Sequence, residues 1–169
     1  RRQRQMCIRD RINAVRLINV NYNNNAYRIS DETLHFNGKS TLISLQNGGG
    51  KSVLVQMLTA PFVHPKYRNT KDRLFESYFT TNKPSFILVE WALDQGAGYV
   101  LTGLMVRKSQ DMEEDRKENL DIIGIVSEYQ SPCIQDIHHL PVVEKGKKEM
   151  ILKKFNSCRQ LFETYKKDR

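Results

Sequence analysis

The stretch SLQNGGGKSVLVQML, Ser44 to Leu58, decides how the chain is read. It fits the phosphate-loop pattern G-x-x-x-x-G-K-[ST] except that Leu45 stands at the first glycine. The pattern works because a strand delivers the chain into a loop whose backbone N–H groups face phosphates, and the helix that follows adds its positive end. In this reading Asn47, Gly48, Gly49, Gly50, Lys51, Ser52 and Val53 form the cradle. Lys51 reaches the β- and γ-phosphates, and Ser52 ligates Mg²⁺ beside the bound ATP. Leu45 lies at the strand exit, furthest from the lysine, so its effect falls on how the loop leaves the strand. Three glycines could also mark an ordinary flexible turn.

The flanks supply the context. INAVRLINV, from Ile12, sets Ile12, Ala14 and Arg16 against Asn13, Val15 and Leu17 and reads as a strand. The Asn-rich NVNYNNNAY is a turn. ETLHFNGKSTLISL gives two extended runs broken at the turn-forming pair Asn37-Gly38. KSVLVQML spaces Val53, Leu54, Met57 and Leu58 as a helix that Pro61 closes. HPKYRNTKDRLFESYF reads as a basic surface loop entering a short helix. PSFILVEWALDQGAGYVLTGLMVRKS is a β-hairpin around DQGAG, and IIGIVSEY is another strand. QDMEEDRKENLD between them is a solvated charged stretch, and Pro132 and Pro141 bracket an irregular segment. Ile151, Phe155, Cys158, Phe162 and Tyr165 fall at spacings of four and three, which predicts an amphipathic helix over 148–169, either packed on a core or opening a coiled-coil arm.

The 169 residues, 39% apolar and 27% charged, suffice for one globular domain. No apolar run reaches the roughly 18 residues of a membrane span. Cys7, Cys133 and Cys158 are too scattered for a disulfide framework, which points to the cytoplasm. The net charge is +8, of which RRQRQMCIRD, with four Arg and one Asp, carries +3. QMCIRDR resembles translated sequencing-adapter read-through, so residues 1–11 are set aside as non-native. By the same reasoning the end at Arg169 is expected to be a truncation.

INAVRLINVNYNNNAYRI followed by TLISLQNGGGKSVLVQML resembles the N-terminal half of an SMC-type ABC ATPase head. The likeness is greatest to the MukB-like branch, which includes the JetC component of Wadjet plasmid-defence systems. Asn47, Gly48, Gly50, Lys51 and Ser52 carry it, with YVLTGL as a return strand. The resemblance implies an α/β P-loop NTPase fold, the half head occupying 12–147, with an antiparallel hairpin layer and the C-terminal amphipathic helix. It implies ATP and Mg²⁺ as cofactors. The implied partners are the C-terminal half of the same head, a second head in a homodimer, DNA and kleisin-like accessory subunits, with no membrane. The signature motif and Walker B carboxylates then belong to the other half, so this chain alone binds ATP with little turnover. Chromosome segregation, repair and anti-plasmid defence are the implied roles.

Other readings stay open. In FILVEW, Glu90 could supply the Mg²⁺-linked carboxylate of a self-contained NTPase or kinase, although a structural residue in a hairpin strand is the stronger expectation. An interaction domain with a non-functional loop is the remaining alternative. A γ-phosphate-sensing glutamine, implied by the resemblance, cannot be placed among Gln95, Gln110, Gln130, Gln135 and Gln160. KYRNTKDR offers Arg68, Lys71 and Arg73, with Lys66, as contacts to nucleotide or DNA phosphates, with Arg68 first. Cys133, His138 and His139 lack a fourth ligand at metal-site spacing.

Overall fold

The branched, glycine-free segment 11–22 forms the longest strand, β1 (Arg11–Tyr22), and the rest of the fold is arranged around it. The computed structural model describes residues 10–22, 26–40, 42, 50–81, 83–109, 119–130, 136–140, 143–145 and 150–152. Strand β2 (Tyr27–His35) folds back on β1 with Tyr27 opposite Tyr22. Strand β3 (Ser85–Ala92) lies on the other side of β1, followed by β4 (Tyr99–Lys108) and β5 (Leu120–Tyr129). The sheet order is β2-β1-β3-β4-β5, and every neighbouring pair is antiparallel.

This architecture corrects the expected fold. The chain forms a sheet-rich structure of five antiparallel strands with a single described α-helix, α1 (Lys51–Thr59), and is not an α/β P-loop NTPase. The cause lies in the connections. Four residues separate Tyr22 from Tyr27 and six separate Ala92 from Tyr99, connections short enough only for antiparallel pairs, whereas adjacent parallel strands need a crossover of a dozen or more residues. The α1 segment does connect two strands of like direction, β2 and β3. However, β1 is inserted between them, so no parallel ladder forms. A glycine-lysine-serine run before a helix is a local signal and says nothing about the sheet beneath.

The individual elements read from periodicity are otherwise present: β1, α1, the β3–β4 hairpin and β5. Asn37 and Gly38 are both left-handed, at φ 52° and 63°, as a tight Asn-Gly turn requires. The extended run expected after them lies outside the described residues apart from Lys39, Ser40 and Leu42, none of which is in a strand. The basic loop enters two 3-10 turns, Pro65–Tyr67 and Phe75–Tyr78. The expected C-terminal helix is corrected at its start, because Met150–Leu152 is a strand, β7, paired with β6 (Val143–Lys145). Residues 153–169 lie outside the described part, as do 1–9. Asp10 and Arg11, the last two residues of the segment set aside, are among the described residues. Asp10 Oδ1 accepts from the Asp94 backbone N–H at 3.0 Å, and Arg11 pairs with Ala92.

Alternation along the strands separates two apolar layers. On one face Val15, Leu17, Val20, Ile87, Val89, Leu104 and Val106 pack against α1 through Val53, Met57 and Ala60, and against Phe75, Tyr78 and Phe79. On the other face Ala14, Ile18, Phe86, Leu88, Leu101, Met105 and Ile125 are covered by Ile137 and Leu140 of the turn 136–140. Full burial of each Val, Leu, Ile, Phe or Met among these stabilises the fold by about 1.5–3 kcal/mol. Gly103 is required where β4 pairs with β3, since a Cβ there would run into the Ile87 carbonyl oxygen.

Candidate functional site at the start of α1

The phosphate-loop residues that the structure describes begin at Gly50. It takes a left-handed conformation, φ 89° and ψ 16°, and its carbonyl accepts the first helical bond, from Leu54 N at 2.8 Å. A Cβ on Gly50 would meet the Tyr22 ring at 3.6 Å, an ordinary contact. The requirement for glycine is therefore the dihedral angle rather than space. Lys51 and Ser52 are the first two residues of α1, both exposed. Val53, Gln56 and Met57 bury the opposite stripe, at the three- and four-residue spacing of an amphipathic helix. The Val53 side chain is thus core, and only its backbone is available to a ligand. No side chain caps the helix and its first turn holds no acid, so its positive end is uncompensated from within the helix. Asn47, Gly48 and Gly49 lie outside the described residues.

Tyr22 reaches this point because of a break in β1. Leu17 and Val20 lie on the same face, which strict alternation forbids. Between them Asn19 is left-handed at φ 56°, while the register with β2 runs on unshifted from Ile18 opposite Asp31 to Val20 opposite Ile29. Its Nδ2 donates to the Pro84 carbonyl at 3.3 Å, and its own carbonyl accepts from Ser85 Oγ at 2.6 Å. Pairing of β1 with β3 ends at Ile18. Beyond the break the strand turns Val20 and Tyr22 toward α1, and Tyr22 stacks on Tyr27 with ring centroids 5.3 Å apart. Asparagine tolerates the left-handed region better than most residues, but nothing in NVNYNNN marks which asparagine uses it.

The remaining candidates lie elsewhere. Arg68 sits at the opposite end of α1, with Nε donating to the Ala60 carbonyl at 3.1 Å and the guanidinium over the Phe75 ring. Nine helical residues put roughly 13 Å between the two ends. Lys71 and Arg73 are exposed on the same loop. Gln95 is left-handed in the β3–β4 turn, and Gln130 Nε2 donates to the Ala97 carbonyl at 3.0 Å. That turn lies by the Arg11 end of β1, remote from Tyr22 and Gly50. Gln110, Gln135 and Gln160 lie outside the described residues.

Glu90 is on the wrong face for a nucleotide at Lys51. It shares the register of Leu88 and Phe86, on the side of the sheet away from α1. It is 4% exposed. Its carboxylate accepts from Asn13 Nδ2 at 2.7 Å and from the Tyr129 hydroxyl. The Tyr129 oxygen in turn accepts from Ile137 N at 3.2 Å. Burial first, then the hydrogen bond to Glu90 and its charge, raise the Tyr129 hydroxyl far above its ordinary range. Beside this chain, Arg16 forms a two-pronged pair with Asp31 at 2.8 and 2.7 Å and donates to the Ile137 carbonyl at 2.9 Å. One signal for Arg16 existed in the sequence, since it falls in register with Ala14 and Ile18 in an apolar strand.

His138 stacks on His35 at 5.1 Å, and His139 Nδ1 lies 2.8 Å from an Asp136 oxygen. Cys133 lies outside the described residues, and among those described no three metal-capable side chains converge. No helix among them is long and apolar enough to cross a membrane. No protein-family model matches the chain, and no curated protein matches it.

Proposed function

We propose that the chain binds the phosphates of a nucleoside triphosphate, with Mg²⁺, at the start of α1. One observation carries this reading: a left-handed Gly50 hands the chain directly into a helix whose first two residues are an exposed lysine and an exposed serine. The first backbone N–H groups of α1, the Lys51 side chain and the Ser52 side chain are then all available to a ligand at a helix end that carries partial positive charge. ATP is the nucleotide proposed, because the sequence around the loop resembles SMC-type, MukB-like ATPases.

Hydrolysis in this proposal requires carboxylates from outside the described residues. Glu90 is turned away and hydrogen-bonded within the opposite layer, which weighs against a self-contained NTPase. The chain acts as the nucleotide-holding half of a composite ATPase, completed by a second segment of a longer protein or by a second copy. In the SMC-like role, engagement of two such halves drives the handling of DNA. Titration calorimetry with ATP and Mg²⁺ tests the first step. Wild type is expected to release heat that Lys51→Ala abolishes. Absence of heat in both identifies a loop that does not bind nucleotide.

A further inference from the structure

The loop His64–Arg73, at the far end of α1, is held in one shape from the inside while its cations face outward. Gln56, buried in α1, donates through Nε2 to the Arg68 carbonyl at 2.7 Å and accepts from the Tyr78 hydroxyl at 2.6 Å. Arg68 Nε closes the same corner on the Ala60 carbonyl. Asn69 Oδ1 accepts from Phe75 N at 2.8 Å, and Thr70 and Arg73 exchange backbone and hydroxyl bonds. The buried Phe75 and Tyr78 thus fix the base of a ten-residue loop.

On this base the loop carries Lys66, Arg68, Lys71 and Arg73 against the single acid Asp72, a net charge of +3. Lys66, Lys71 and Arg73 are exposed, and none forms a salt bridge with a described carboxylate. Among them stands Tyr67, 65% exposed, an unusual position for a large aromatic ring. The Lys66 ammonium lies 4.7 Å from its centroid, and His64 meets it edge-on. Solvated lysines alone would suit any polyanion. An exposed ring set among cations on a braced loop suits a polyanion whose charges alternate with flat, unpaired rings.

We propose that this loop is a contact site for single-stranded nucleic acid, with Tyr67 stacking on an unpaired base and Lys66, Lys71 and Arg73 meeting the adjacent phosphates. In a duplex the base faces are occupied by their neighbours, leaving Tyr67 nothing to stack on. Arg68 has the separate task of anchoring the loop to α1. The site is distinct from the start of α1 and does not depend on nucleotide binding there.

Fluorescence anisotropy with a labelled 20-nucleotide oligothymidine, and with a duplex of equal length, tests the proposal. The single strand is expected to bind the more tightly. Tyr67→Ala should weaken it by roughly 5- to 100-fold, whereas Tyr67→Phe, which keeps the ring, should stay within about twofold. Lys71→Ala and Arg73→Ala should each lower the slope of log affinity against log salt by about 0.7. All these side chains are exposed, so thermal melting of each variant should match wild type. Equal affinity of Tyr67→Ala and wild type, a duplex bound as tightly as the single strand, or no binding at all would overturn the proposal. So would displacement of the oligonucleotide by polyglutamate of equal charge as effectively as by unlabelled oligothymidine.

Discussion

The two faces of the sheet use polar residues in opposite ways. On the face away from α1, Arg16, Asp31, Glu90, Tyr129 and Asp136 are directed inward and bound to one another or to backbone. They hold the turn 136–140 against the strands, since Arg16 and Tyr129 both bond to Ile137. On the α1 face the buried polar contact is a neutral one, Gln56 with the Tyr78 hydroxyl and the Arg68 carbonyl, and the cations of Lys51, Lys66, Lys71 and Arg73 are exposed. The inward groups contribute to stability, and the outward ones are available to ligands. A charge in this protein is therefore interpreted by its face before its type.

The comparison breaks first at Arg16. Arg16→Ala removes a buried cation and leaves Asp31 and the Ile137 carbonyl without it. A loss of about 3–5 kcal/mol is expected in urea denaturation. Replacing both partners by apolar residues of similar volume, Arg16→Met with Asp31→Leu, should recover much of that loss. If Arg16→Ala unfolds at the same urea concentration as wild type, the inward face is not held by its ion pair.

Tyr129→Phe comes next, at about 1–3 kcal/mol, because it removes one partner of the Glu90 carboxylate and orphans the Ile137 N–H. It also has a pH signature. The folded pKa of Tyr129 is raised above its ordinary 10.0, so the folded state keeps a proton that the unfolded state releases. Its contribution is complete below pH about 10 and is lost as pH rises beyond that value. Wild type should weaken steeply above pH 10, and Tyr129→Phe should weaken less over the same range. Parallel pH profiles would show that the hydroxyl is not buried as described.

These assignments explain what the sequence could disclose. Alternation revealed β1, apolar runs on either side of a glycine-containing turn revealed β3 and β4, a further apolar run revealed β5, and helical spacing revealed α1, because those patterns are local consequences of burial. Asn37-Gly38 was legible because the pair accepts the left-handed dihedrals that a tight turn requires. The sheet order was not, since the helix signal at Lys51 is the same whether the strands around it run parallel or antiparallel. Glu90 was ambiguous because its face depends on the register with β1, where pairing shifts between Ile12 and Ala14. Arg16 and Asp31 meet only once β2 folds back, 15 residues on. The start of the proposed phosphate site was legible at Gly50, Lys51 and Ser52. Its aromatic wall, Tyr22 on Tyr27, depends on a left-handed Asn19 inside a strand, which no periodicity announces.

The smallest effects on stability belong to the outward face, where they sharpen the comparison by separating binding from folding. Gly50→Ala places a side chain at φ 89°, a left-handed conformation that costs an L-residue roughly 1–2 kcal/mol. Space is not the obstacle, because Tyr22 stands at contact distance. The expected outcome is a modest fall in melting temperature together with weaker ATP binding, since relief of the strain would turn the first N–H groups of α1 away from the phosphates. Lys51→Ala removes an exposed charge with no core contact, so its stability should stay within about 0.5 kcal/mol of wild type while its ATP heat disappears. The pair is diagnostic. If Lys51→Ala is as destabilised as Gly50→Ala, the lysine holds the fold and the start of α1 behaves like the inward face. If Gly50→Ala is destabilised but binds ATP as wild type does, the left-handed glycine serves the chain path alone, and the phosphate contacts must come from other backbone groups.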